Sequence, residues 1–208
     1  MSCYVENKYE ILPQKSYEII RNCPKCGCKT NYVNTNSFRI NANGNSLDVW
    51  LIYQCKKCKH TYNLSIYERV KPTAIDTDEY KKFLNNDLEL SFKYGIKKEL
   101  FLMNKAVIDE DKITYELLFK QIEKNDDSNL EKTLIISNPY ELKIRADKVL
   151  ADILKISRSE IKRMIKNKVI YSDSCDKVGK GHVGRLLNIR IMNKKYIVSI
   201  EYLEIMII

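Results

Sequence analysis

The sequence predicts an α+β fold: a three-stranded sheet at the amino terminus, a helical connector, and a carboxyl-terminal helix pair packed on a small β-sheet. Three observations point there. Two Cys-x-x-Cys pairs bracket a stretch of β-branched and aromatic residues around an Asn-Gly turn signal; the middle carries apolar residues at helical intervals; the last third holds two short amphipathic helices. The expected divisions are residues 1–72, 73–139 and 140–208.

In the first division, residues 31–41 (NYVNTNSFRIN) and 47–54 (LDVWLIYQ) read as strands joined at Ala42-Asn43-Gly44-Asn45, and residues 60–70 read as a third strand. The hairpin has a consequence for the cysteines. Cys23-x-x-Cys26 lies ahead of it and Cys55-x-x-Cys58 behind it, so closing the hairpin brings the two pairs together. Each pair is short enough to aim two sulfurs at one point, and two such turns facing each other suit a tetrahedral Zn2+ ion. Pro24 and Gly27 help the first turn bend. Two such knuckles on a three-stranded sheet resemble a zinc ribbon. Cys28 and His60 stand two residues beyond a knuckle and stay open as substitute ligands; Cys3 and Cys175 lack partners at ligand spacing. Four thiolates close the metal's shell, which makes the expected Zn2+ structural and not catalytic. A redox reading needs a Cys-x-x-Cys at a helix start beside a βαβ pattern, and neither pair has that setting.

After Pro72, apolar positions mark helices over 78–85 and 87–104, with Gly95 breaking the second. Residues 112–122 and 133–137 read as strands, with a turn at 124–129. No chemistry-bearing motif is visible in this connector.

Residues 142–173 (LKIRADKVLADILKISRSEIKRMIKNKVIYSD) carry two apolar helical faces, Val149, Leu150, Ile153 and Leu154, then Ile161, Met164 and Ile165. Ser157 and Glu160 form a capping-box pattern that starts the second helix. On it Arg158, Lys162 and Lys166 recur at i, i+4 and i+8 beside Arg163, which makes a basic ridge; Arg145 and Lys148 lie near the start of the preceding helix. The run Arg145-x-Asp147-Lys148, Ile156-Ser157-Arg158-Ser159, Ile161, Ile165 and Val169 resembles the RNA-binding helix pair of ribosomal small-subunit protein four, the alpha-L motif. In that comparison Lys168 replaces a common helix-ending glycine. The resemblance implies that Arg145, Lys148, Arg158, Lys162, Arg163 and Lys166 face structured RNA, ribosomal or transfer RNA being the expected partner. The whole layout is similar to a bacterial family known as domain of unknown function 1062, which implies an architecture and no activity.

Composition fits this reading. The net charge of +9 is uneven: 11 Lys+Arg against 5 Asp+Glu in residues 1–72, 10 against 14 in 73–139, and 15 against 8 in 140–208. Two basic ends flank an acidic middle, a pattern suited to polyanion contacts. The amino terminus lacks a basic start followed by an apolar run, and no eighteen apolar residues occur in succession, so a cytoplasmic protein without a membrane partner is expected. Gly179-x-Gly181-x-x-Gly184 has the letters of a dinucleotide fingerprint, but a strand-like run follows it where that motif opens a helix. Neither histidine has a nucleophile or carboxylate partner at motif spacing, so no catalytic set and no small-molecule substrate emerge. The leading expectation is non-catalytic RNA binding with a structural zinc; a protein-interaction adaptor and an RNA-modifying enzyme are the alternatives.

Overall fold

The structure, a computed structural model, describes residues 6–122, 132–172 and 181–192. The chain divides into two compact units, Pro13–Thr114 and Met1–Leu12 together with Tyr115–Ile208. One unit is therefore inserted into the sequence of the other. The boundary expected at 72 falls inside the inserted unit, and that expected at 139 falls inside the flanking unit.

In the inserted unit, β2 (Ile19–Cys23), β3 (Cys28–Asn43), β4 (Ser46–Cys55), β5 (Thr61–Val70) and β6 (Val107–Ile108) form one sheet in the order β5-β4-β3-β2-β6. The β3–β4 turn is two residues, Gly44 and Asn45, between the paired Asn43 and Ser46, and Gly44 takes the positive φ that glycine allows without a steric penalty. A bulge between Asn34 and Phe38 interrupts the long β3. Three helices follow: α1 (Thr77–Leu84), α2 (Leu88–Gly95) and α3 (Lys98–Met103). Asp76 and Asp87 cap the first two by accepting from backbone amides. Tyr32, Leu51, Tyr53, Leu64, Phe83 and Phe101 are buried between sheet and helices, with Tyr53 meeting Phe101 edge-on. The backbone N–H of Gln14 donates to the Thr114 carbonyl at 3.1 Å, so the two ends of this unit lie side by side.

The flanking unit holds β1 (Glu6–Pro13), β7 (Tyr115–Ile122), β8 (Lys132–Ser137), β9 (Ile170–Tyr171) and β10 (Leu186–Ile191) in the order β7-β1-β8-β10-β9. Strands β1 and β8 run parallel, with Asn7 opposite Leu134 and Tyr9 opposite Ile136. Two helices, α4 (Ala146–Leu154) and α5 (Arg158–Lys166), pack through Val149, Leu150, Ile153, Ile161 and Met164, all buried. Ser157 accepts from the Glu160 amide, as the capping pattern predicts.

The expected architecture is thus corrected. Among the described residues, a mostly sheet body with two five-stranded sheets and a few helices replaces the three-stranded ribbon, helical connector and helix pair on a small sheet. The reason is long-range pairing. The three strands read from the amino-terminal third are present, but β2 and β6 widen their sheet, and β1 joins a sheet whose other strands come after residue 114. Periodicity within a strand carries no information about such a distant partner. The expected turn at 124–129, a second carboxyl-terminal strand that the sequence suggests at 195–206, Cys3, Cys175 and Gly179 lie outside the described residues.

Candidate metal centre and basic helix

Two successive hairpin ends build the cysteine cluster. Cys23 closes β2 and pairs in register with Cys28 at the start of β3; its carbonyl accepts from the Gly27 amide at 2.9 Å. Cys55 ends β4, and its carbonyl accepts from the Lys59 amide at 3.0 Å. The two turns match down to backbone angle, since Gly27 and Lys59, each directly after the second cysteine, have φ of 66° and 63°. The β3–β4 register sets Tyr32 opposite Cys55 and so seats the second turn beside the first.

The four sulfurs of Cys23, Cys26, Cys55 and Cys58 lie within 4.8 Å of one another. Cys23 Sγ is 3.4 Å from Cys58 Sγ, and Cys26 Sγ is 3.9 Å from Cys55 Sγ. A disulfide would need a separation of about 2.05 Å. A tetrahedral ion bound at about 2.3 Å to each sulfur sets neighbouring sulfurs about 3.8 Å apart, between the two distances found. The donor set therefore fits a metal ion. Cys28 and His60 lie outside the cluster; Cys28 is exposed, with Lys57 Nζ 3.9 Å from its sulfur.

The surroundings favour the thiolate at Cys23 and Cys55. Burial raises the Cys55 thiol, but hydrogen bonds from Thr30 and from the Cys58 and Lys57 amides outweigh it and bring it down to about 6. Cys23 is likewise raised by burial and then drawn below its ordinary value by hydrogen bonding to Tyr32, the Cys26 amide and Cys58. Cys26 is pushed up to about 12, first by its hydrogen bond with Cys58 and then by burial, since neighbouring thiols that share one point resist a further negative charge. Thr30 Oγ1 stands 3.3 Å from Cys55 Sγ, and both residues are buried. Beside it, the Asn31 amide nitrogen donates to Glu18 at 3.2 Å and to Asp109 at 2.6 Å, while Lys56 bridges to Glu18 at 2.8 Å.

In the flanking unit, three of the six predicted basic residues, Arg145, Arg158 and Lys162, gather around one acid, Asp147. Asp147 has no exposed side-chain surface. Arg145 donates to it twice, at 2.9 and 3.1 Å, Arg158 Nη2 reaches both oxygens at 3.2 and 3.0 Å, and Lys162 Nζ lies at 4.0 Å. Burial raises the Asp147 carboxyl, and the hydrogen bonds from Arg145 and Arg158 reverse this and hold it below the usual carboxylate range. Lys148 lies over the Tyr115 ring at 5.1 Å, and Arg163 pairs with Glu160 at 2.6 Å. Lys166 is exposed in the last turn of α5. Lys168 takes a positive φ of 55°, in keeping with its standing where glycine is common.

Two contributors escape sequence reasoning. The sequence marks Asp147 as a member of the run that resembles the alpha-L motif but not as a buried anchor, and Thr30 gives no signal, because its partner Cys55 is distant in sequence. In the glycine run, the Gly181 carbonyl accepts from the Ala146 amide at 3.1 Å and His182 bridges to Arg145, so this segment docks on the entrance to α4 and then leads into β10.

Fold and site together define a β-rich, two-unit protein with a four-cysteine cluster able to hold a metal ion. A family model, protein of unknown function (DUF1062), matches residues 40–176, which is more than half of the chain, and the chain belongs to that family. The matched span contains Cys55, Cys58 and the whole α4–α5 pair, while Cys23 and Cys26 precede it. No curated protein and no solved structure matches the chain. Among the described residues no helix is long and apolar enough to cross a membrane.

Proposed function

We propose that this protein is a non-catalytic RNA-binding protein in which a structural Zn2+ ion, held by Cys23, Cys26, Cys55 and Cys58, stabilises the inserted unit, while α5 offers a basic face to structured RNA. The observation that carries the RNA reading is the state of α5. The helix buries only Ile161 and Met164, and Arg158, Lys162 and Arg163 keep 47%, 57% and 68% of their side chains exposed. Asp147 pins Arg158 and Arg145 from beneath without neutralising the cluster, because one carboxylate faces two guanidiniums and an ammonium. Guanidiniums fixed in this way can still offer outward N–H groups to a phosphate, and neutralising phosphates releases counterions. Recognition would follow RNA shape, since the deep groove of helical RNA is too narrow for a helix to read.

The zinc assignment is supported by an all-thiolate donor set, which favours soft or borderline ions, and by closed geometry without a position for substrate. Such a site contributes on the order of 10 kcal/mol to the folded state. The protein-adaptor reading has one observation in its favour: Leu102, Met103 and Val107 are exposed on α3 and β6. The test is binding of hairpin RNA by the purified full chain and by a Lys162→Glu, Lys166→Glu variant, with metal content measured on both. At least a tenfold loss in the variant, with one zinc per chain in each, supports the reading; equal affinity removes it.

A further inference from the structure

The metal-bearing end of the inserted unit carries its own excess of cations. From Ile19 to Asn34 and from Gln54 to Tyr67 the sequence contains no Asp or Glu, yet these stretches hold Arg21, Lys25, Lys29, Lys56, Lys57 and Lys59. All five lysines are exposed. Lys56 is taken by Glu18 and Arg21 lies 3.5 Å over the Tyr62 ring. Lys25, Lys29, Lys57 and Lys59 have no carboxylate partner among the described residues. Because the four sulfurs sit within 4.8 Å of one another, the residues of both turns crowd around a single point. A divalent ion in four thiolates leaves two net negative charges, which two of these ammonium groups would balance. The other two remain in excess.

We propose that this knuckle end is a second RNA-contact surface, in which Lys25, Lys29, Lys57 and Lys59 meet the phosphate backbone without reading bases. Two features favour a nucleic-acid partner over a protein or a lipid surface. The exposed residues of the two turns, Asn22, Pro24, Gly27, Cys28 and the lysines, include no large apolar side chain, and a protein interface needs such an anchor whereas phosphate contacts do not. The aromatic side chains nearby offer little to bases: Tyr32 and Tyr53 are fully buried, and Arg21 covers one face of the half-buried Tyr62. Phosphate contact therefore outweighs stacking on bases, the usual source of single-strand preference, at this surface. The proposal shares its partner with the reading above and rests on different residues in the other unit.

The test uses the full-length, metal-loaded chain and a labelled 30-nucleotide oligouridylate, with affinity measured from low to moderate salt. A variant with Lys25→Gln, Lys29→Gln, Lys57→Gln and Lys59→Gln should keep its metal, since none of these side chains is a ligand. Its salt slope should fall by up to about 3, at roughly 0.7 for each single-strand phosphate no longer neutralised, and oligoadenylate should give the same result within about twofold. An unchanged slope at full metal content overturns the proposal, as does a wild-type chain that binds neither oligonucleotide. So would a variant that loses only phosphatidylglycerol vesicles. The Lys162→Glu, Lys166→Glu protein separates the two ideas: a normal slope there with a reduced one in the knuckle variant removes the α5 reading and keeps this one.

Discussion

Arg145 and Asp147 are two residues apart and joined by two hydrogen bonds, at 2.9 and 3.1 Å, although Asp147 is wholly buried and Arg145 is 40% exposed. The pair is a clamp between the inside of the helix pair and its surface. Replacing Asp147 by Asn keeps the shape but gives up the charge that holds Arg145, Arg158 and Lys162. The expected cost is about 1–3 kcal/mol in chemical denaturation at neutral pH, the range for losing charge-assisted hydrogen bonds at a buried group. The same change frees both guanidiniums and should therefore weaken the proposed contact of α5 with RNA.

That carboxylate also sets a pH dependence. Its folded value lies below the unfolded value of about 3.9, so its contribution is complete above that pH and disappears as the pH falls through the folded value. Wild type and Asp147→Asn should therefore converge in stability as the pH drops below about 4. A stability difference that stays constant from neutral pH down to that range would contradict the assignment.

Thr30 should matter to the metal without touching it. Its hydroxyl lies 3.3 Å from Cys55 Sγ, where a filled site turns it into a donor to thiolate. Removing a partner of this kind typically lowers metal affinity by about 10–100-fold. Thr30→Val should lose metal to a chelator faster than wild type, and Thr30→Ser should restore most of the difference. Equal rates in Val and Ser variants would assign Thr30 to packing alone.

Lys59 occupies a left-handed backbone position that Gly27 fills at the matching place in the first turn. A non-glycine residue there costs roughly 1–2 kcal/mol, partly offset by glycine's greater freedom when unfolded. Lys59→Gly should raise stability by about 0.5–1 kcal/mol, read as a higher denaturation midpoint at saturating metal.

Asn104 protects a sheet edge. Its side-chain amide donates to the Ser65 carbonyl at 2.9 Å and accepts from the Ser65 N–H at 2.8 Å, imitating a neighbouring strand along β5. Asn104→Ala should lower stability by about 1–3 kcal/mol and make sedimentation concentration-dependent, because the freed groups can pair with another chain. Unaltered sedimentation would mean that other groups guard this edge.

How far the sequence could be read depends on the distance over which each feature is encoded. The Asn-Gly turn, the capping serine, the break at Gly95 and the two cysteine pairs are local patterns, and each appears where expected. Strand β1 escaped because its partner β8 is remote and β6 because it is two residues long, while β2, although its hairpin partner β3 follows at once, is five residues without a clear apolar alternation. The cysteine cluster was legible because a short hairpin converts a gap of 28 residues into a neighbour relation. Asp147 was not, because whether an acid beside an arginine is buried or solvated depends on what packs over it, here α4 and α5 with β10 and β9 beyond.

The hydrogen bond between Gln14 and Thr114 bears on how the chain matures as it leaves the ribosome. Residues 13–114 emerge as a continuous block whose ends meet, so this block can complete itself and gather its four clustered cysteines while β1 still waits for β8, more than a hundred residues behind. Synthesis halted shortly after Thr114 should yield a metal-loaded intermediate with an unmatched leading strand, and cysteine substitutions should arrest maturation early, before α4 and α5 exist.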